Sequence, residues 1–115
     1  MMENINIIEK DGVLIVKFLS SFSFPEISEL KNKLDALIKN GRKNIVFDLT
    51  DINWMDPFGM SLVAWVLKKI IVLKGQLAIV NPKRPVLELF KETRLSELVS
   101  FWYSVDQAIS HLNGR

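Results

Sequence analysis

The chain has 115 residues and carries 15 Lys and Arg against 13 Asp and Glu, a net charge of +2. It is therefore of single-domain size and lacks the basic excess of a nucleic-acid binder, so no direct nucleic-acid partner is expected. With 49% hydrophobic and 24% charged residues it can bury a core, and with no cysteine it cannot form disulfides, thiolate nucleophiles or cysteine-based metal sites.

The first ten residues mix Glu3, Asn4, Asn6 and Glu9 among the apolar ones, so no continuous apolar signal region forms and a cytoplasmic location is expected. Residues 60–73 are the most apolar stretch. Lys68 and Lys69 interrupt it, leaving it short of the roughly 18 apolar residues of a membrane span, and it reads as a buried helix.

Ile5 and Ile7 alternate up to Asp11-Gly12, and Val13 to Phe18 follows as a second β-rich run. Asp-Gly between two such runs predicts a tight hairpin, because both central residues of its turn need positive φ. Ser20-Ser21-Phe22-Ser23-Phe24 has no period and leads into Pro25, suited to a first helical turn. Ile27, Leu30, Leu34, Leu37 and Ile38 then recur at helical spacing, closed by Asn40-Gly41. Residues 44–50 predict a central strand, and Asp56 and Pro57 the N-cap and first residue of the apolar helix, which runs to Gly75 with little of its circumference facing water. A strand at 76–80 is followed by a short helix from Pro85 with Val86, Leu87, Leu89 and Phe90 inward. After a polar bend, Leu95, Leu98 and Val99 form an apolar turn and Phe101-Trp102-Tyr103 an extended segment. Ser104 and Gln107 form a capping box for a terminal helix with Val105, Ala108, Ile109 and Leu112 on one face, ended by Gly114. The order β-β-α-β-α-β-α-β-α implies an α/β fold: a mostly parallel sheet with an antiparallel N-terminal edge strand and helices packed against it.

Catalytic equipment is sparse. The five glycines are dispersed at turns and helix ends, so there is no phosphate loop. Asp48, Asp51 and Asp56 lie close in sequence as a possible acid/base or metal cluster, but each also has a structural reading as strand residue, turn former and N-cap. His111 stands alone and reads as a solvent-facing helix residue. No cofactor and no metal are expected. Lys83, Arg84, Lys91 and Arg94, with Lys68, Lys69 and Lys74, read as solvated faces or as a polyanion site. The turn carrying Trp54, Met55, Phe58 and Met60 brings large apolar groups together. If two or more are exposed they form a contact patch for a protein; otherwise Trp54 and Met55 alternate between surface and core and Phe58 plugs the helix start.

The run Ile45-Val46-Phe47-Asp48-Leu49-Thr50, then Asp51-Ile52-Asn53-Trp54-Met55-Asp56, then Gly59 opening an apolar helix, resembles the central signature of STAS domains, the anti-sigma-factor antagonist fold. The likeness continues through Gly75-Gln76-Leu77, Val80-Asn81-Pro82, Val86-Leu87-Glu88-Leu89, Leu95-Ser96-Glu97-Leu98 and Tyr103 to Ile109, making residues 1–115 a single STAS domain. The resemblance implies a regulatory binding module and not an enzyme. Its partner would be an anti-sigma factor that is also a serine kinase, bound through Trp54, Met55, Asp56, Pro57, Phe58, Gly59, Met60 and Ser61, by a monomer or dimer. In that family, phosphorylation of the serine just before the turn glycine ends binding, as a new dianion beside an acidic residue should. Here Phe58 holds that position and accepts no phosphate, so binding is expected to be phosphorylation-independent; Ser61 is the nearest hydroxyl. The alternatives are a structural subunit of a stressosome-like or lipid-transport assembly, and a small anionic-ligand or nucleotide binder using Lys83 and Arg84.

Overall fold

The computed structural model describes residues 4–20 and 24–115, so Ser21, Phe22 and Ser23 of the aperiodic stretch lie outside the described residues. Strands β1 (Ile5–Lys10) and β2 (Val13–Phe18) pair antiparallel across Asp11 and Gly12, at φ 53° and 78°, with Lys10 opposite Val13. This is the predicted two-residue hairpin. Strands β3 (Asn44–Asp48), β4 (Gln76–Val80) and β5 (Ser100–Trp102) add in chain order, each parallel to its predecessor.

Sequential order has a consequence for the helices. Parallel neighbours joined by crossovers of one hand place every connecting helix on the same face. Accordingly α1 (Phe24–Lys39), α2 (Pro57–Ile71) and α3 (Arg84–Glu92) share one core with Leu14, Val16 and Phe18 of β2, Ile45 and Phe47 of β3, and Leu77 and Ile79 of β4. Helix α4 (Val105–Leu112) follows the last strand and is free of that constraint. It covers the opposite face, where Ala108, Ile109 and Leu112 meet Val13, Ile15, Val46, Ala78 and Val80. Burial of β3 on both faces explains its unbroken apolar run.

Several boundaries differ from the sequence reading. Strand β3 ends at Asp48, not Thr50, because the Asp48 carboxylate accepts from the Thr50 amide (3.0 Å) and hydroxyl (2.6 Å) and turns the chain. Helix α1 starts at Phe24, one residue before Pro25. Helix α2 buries Leu62, Val63, Val66, Leu67 and Ile70 but leaves Phe58, Ser61, Ala64, Lys68 and Ile71 exposed as a stripe, so it is less enclosed than its composition suggests. It stops at Ile71, and Leu73, read as inward, is exposed. In α3 only Val86 and Phe90 are buried, Leu87 and Leu89 being half-buried at its flanks. A 3-10 turn at Leu95–Glu97 precedes β5 and leaves Leu98 exposed. Strand β5 begins one residue earlier than expected, and Tyr103 projects into solvent. Ser104 caps α4 by accepting from the Gln107 amide (3.1 Å), while Gln107 Oε1 accepts from the Tyr103 amide instead of that of Ser104, a capping box displaced by one residue. Among the described residues, no helix is long and apolar enough to cross a membrane.

Polar contacts tie α1 to α2. The ammonium groups of Lys31 (5.9 Å) and Lys69 (5.5 Å) both lie over the Trp65 ring. Asp35 sits between Lys39 (2.9 Å) and Lys69 (3.4 Å). The Lys39 hydrogen bond, opposed by desolvation and supplemented by Lys69, holds the Asp35 carboxyl below its usual 3.8. A depressed folded-state pKa contributes stability above the unfolded value and loses it as pH falls through the folded one. The Tm difference between the native chain and Asp35→Asn is therefore expected to be largest at neutral pH and to vanish in strong acid, as read by thermal unfolding across pH. Gly75 packs against the Lys43 backbone, where a Cβ would collide with the carbonyl oxygen. Gly75→Ala should cost about 1–3 kcal/mol in urea unfolding.

Candidate functional site

The loop joining β3 to α2 lies at the carboxyl edge of the parallel strands, the edge where α/β sheets present their sites. Leu49 and Ile52 are fully buried, and the Ile52 amide donates to the Leu49 carbonyl (3.0 Å), so the loop starts as a turn anchored in the core. The next connection, after β4, fastens it from outside. Asn81 Nδ2 donates to Thr50 Oγ1 (3.4 Å) and Lys83 Nζ to Asn53 Oδ1 (2.7 Å).

The far end is held by packing and by a cap. Met55 is buried against Gly59, with its Sδ within 2.8 Å of where a Cβ on residue 59 would lie. A glycine is needed there for space, not for a special φ. The Asp56 carboxylate accepts from the Gly59 amide (3.0 Å) and Pro57 takes the first turn, so the predicted N-cap and N1 residues are in place. With Met55 inward, its neighbour Trp54 points out, 58% exposed, and Phe58, on the first turn of α2, is 52% exposed. Ser61 is exposed one turn on, its hydroxyl donating to the Phe58 carbonyl (2.7 Å).

The eight residues assigned to the contact surface thus separate. Trp54, Pro57, Phe58 and Ser61 present surface and Asp56 is half-buried. Met55, Gly59 and Met60 are buried and support the turn from beneath. Beside Pro57 runs an apolar groove of about 420 Å³, floored by Met60, Ser61 and Ala64 of α2 and walled by Leu89, Thr93 and Leu95. Sequence reasoning missed its far wall. The signal was Leu89 and Leu95, which stand at the margins of their apolar stripes and are half-buried.

The other candidates disperse. Asp48 is buried on Thr50, Asp51 faces Lys17 (3.8 Å) and Asp56 caps α2, so the three carboxylates serve separate structural ends. Among the described residues, no group of three His, Asp or Glu is placed to hold a metal ion. His111 is exposed, as expected, and stacks on Trp102 with ring centroids 4.8 Å apart. Lys83 is engaged by Asn53, and Arg84 stands exposed at the start of α3.

Loss of the cap in Asp56→Ala should cost about 1 kcal/mol. Gly59→Ala should cost about 1–3 kcal/mol through displacement of Met55. A double-mutant cycle by urea unfolding checks the contact: the cost of Gly59→Ala is expected to shrink in a Met55→Ala background, which empties the contested space.

Comparison with known proteins places this geometry. A family model for the STAS domain matches residues 4–108. A Thermotoga neapolitana protein named "Putative anti-sigma factor antagonist TM1081 homolog" is 25% identical over 81 residues, covering 70% of this chain and 72% of its own. The unphosphorylated form of the anti-sigma factor antagonist SpoIIAA shares the fold at TM-score 0.87 and 15% identity, covering 96% of this chain and 97% of its own. A chain of the stressosome, described as a signal integration and transduction hub, matches at TM-score 0.77 and 15% identity, over 95% and 96% of the two chains. With its five-stranded sheet in chain order and the anchored turn before α2, the chain belongs to the STAS domain family.

Proposed function

We propose that this protein is a non-catalytic regulatory module that binds an anti-sigma factor or a related regulatory kinase through the turn at residues 54–61 and the adjoining groove. The observation that carries the reading is the outward placement of two large aromatic side chains, Trp54 and Phe58, on a turn anchored from both sides. Aromatic anchors on a rigid support lose little entropy on binding and are the kind of residue that dominates contact energies. The groove of Pro57, Met60, Ala64 and Leu89 extends that apolar surface along α2.

Phe58 also bears on regulation. The two positions between Asp56 and Gly59, where the resemblance implies a phosphorylatable serine, hold Pro57 and Phe58, and neither has a hydroxyl. Binding in this chain is therefore constitutive with respect to that switch. Ser61 has a hydroxyl but spends it on the Phe58 carbonyl within the helix, and a structural role accounts for it.

The test uses a candidate anti-sigma factor kinase, with and without ATP. The native chain should bind equally in both conditions and acquire no phosphate on residues 54–61. Phe58→Asp should weaken binding at least about tenfold by burying an unpaired charge. Undiminished binding by Phe58→Asp, or stoichiometric phosphate in the turn, would falsify the reading. A second reading, as a structural subunit of a larger assembly, is favoured by the likeness to the stressosome chain. Light scattering after size exclusion separates the two: a large stable particle supports the assembly, and a monomer or dimer the switch partner.

A further inference from the structure

The opposite end of α2 breaks local rules in a way the folded core does not require. Ile71, Val72 and Leu73 are consecutive and 50%, 78% and 41% exposed. Lys74 follows with φ 61°, a left-handed position that helix ends usually give to glycine. The turn is nonetheless well formed, with the Lys74 amide donating to the Ile71 carbonyl (2.9 Å) and the Gly75 amide to that of Ile70 (2.8 Å). The glycine is one residue further on, against the Lys43 backbone, so the strained position falls to a lysine.

Positive charge rings this apolar turn. Lys68, Lys69 and Lys74 come from α2 and the turn after it; Lys39, Arg42 and Lys43 come from the end of α1 and the connection to β3. Asp35 pairs with Lys39 and Lys69, and Glu9 with Arg42. Asp11, at the hairpin tip, adds a further carboxylate at that edge. Lys43, Lys68 and Lys74 are exposed and have no ion pair among the described residues. In a chain whose net charge is only +2, this end holds a local cationic excess.

We propose that the C-terminal end of α2 docks on the surface of an anionic phospholipid bilayer, with Ile71, Val72 and Leu73 entering the headgroup boundary and Lys43, Lys68 and Lys74 meeting lipid phosphates. Aliphatic side chains beside flexible lysines suit that boundary, because the apolar groups leave water while the lysine stems extend to the phosphates. A second copy of the chain is a poor occupant, since two-fold pairing would set lysine against lysine. A protein partner is less suited, since lysine is depleted in protein interfaces and the turn has no aromatic anchor.

Co-sedimentation with vesicles tests this, comparing pure phosphatidylcholine with a mixture containing about one-third phosphatidylglycerol. The native chain should sediment with the anionic vesicles only, and less so as salt rises. Val72→Asp should reduce binding at least about tenfold, and Lys74→Gly about fivefold. Lys74→Gly also relieves the left-handed strain and should raise Tm, so its weaker binding cannot be a folding defect. Phe58→Asp should leave vesicle binding unchanged, which separates this site from the turn at residues 54–61. The proposal is overturned by equal binding to neutral vesicles, or by native binding in both Val72→Asp and Lys74→Gly. Retention on a polyglutamate matrix without sedimentation on anionic vesicles also overturns it, in favour of an acidic protein.

Discussion

The packing of Met55 against Gly59 is the contact on which the geometry of the exposed turn depends. It sets the start of α2 against the core without a side chain between them, and it leaves the Asp56 carboxylate within reach of the Gly59 amide. One buried methionine thereby decides the direction of its neighbours. With Met55 inward, Trp54 is presented to solvent, and Phe58 follows on the first turn of the helix. The two hydrogen bonds from Asn81 and Lys83 hold the same loop from the side of β4. The exposed turn thus takes its rigidity from the core.

Sheet order organises the larger scale. Because β2 to β5 run parallel and in sequence, their carboxyl ends gather at one edge and their connections cross one face. Helix α2 spans the distance between the two edges. Its first turn carries the aromatic pair of the candidate partner surface, and its last turn carries the apolar and cationic residues at 71–74. The two proposed surfaces thus lie at separate poles of one helix. Binding at one need not obstruct the other.

Much of this was legible in the sequence, and for identifiable reasons. The Asp11-Gly12 turn, the Asp56-Pro57 helix start and the Ser104 cap rest on backbone chemistry within a few residues, and all three formed. The family resemblance rested on spacing along the whole chain, and the fold bears it out. Long-range packing was less readable. Composition made α2 look enclosed, yet α1 and α3 flank it and leave a stripe in water. Nothing local shows that Met60 is buried while Phe58 turns outward, or that Leu89 and Leu95 complete a groove with Pro57. The role of Gly75 was likewise hidden, since the Lys43 backbone that demands it comes from the connection before β3, distant in sequence.

Residues 54–61, held by the core and presenting Trp54 and Phe58, are the proposed partner contact. Hydrogen–deuterium exchange of the native chain, free and bound to an anti-sigma factor, measures this most directly. Binding is expected to slow exchange at the amides of this turn and along the first turns of α2, with or without ATP present, while residues 71–75 keep their free rates. Unchanged exchange at residues 54–61, with protection elsewhere on the domain, would contradict it.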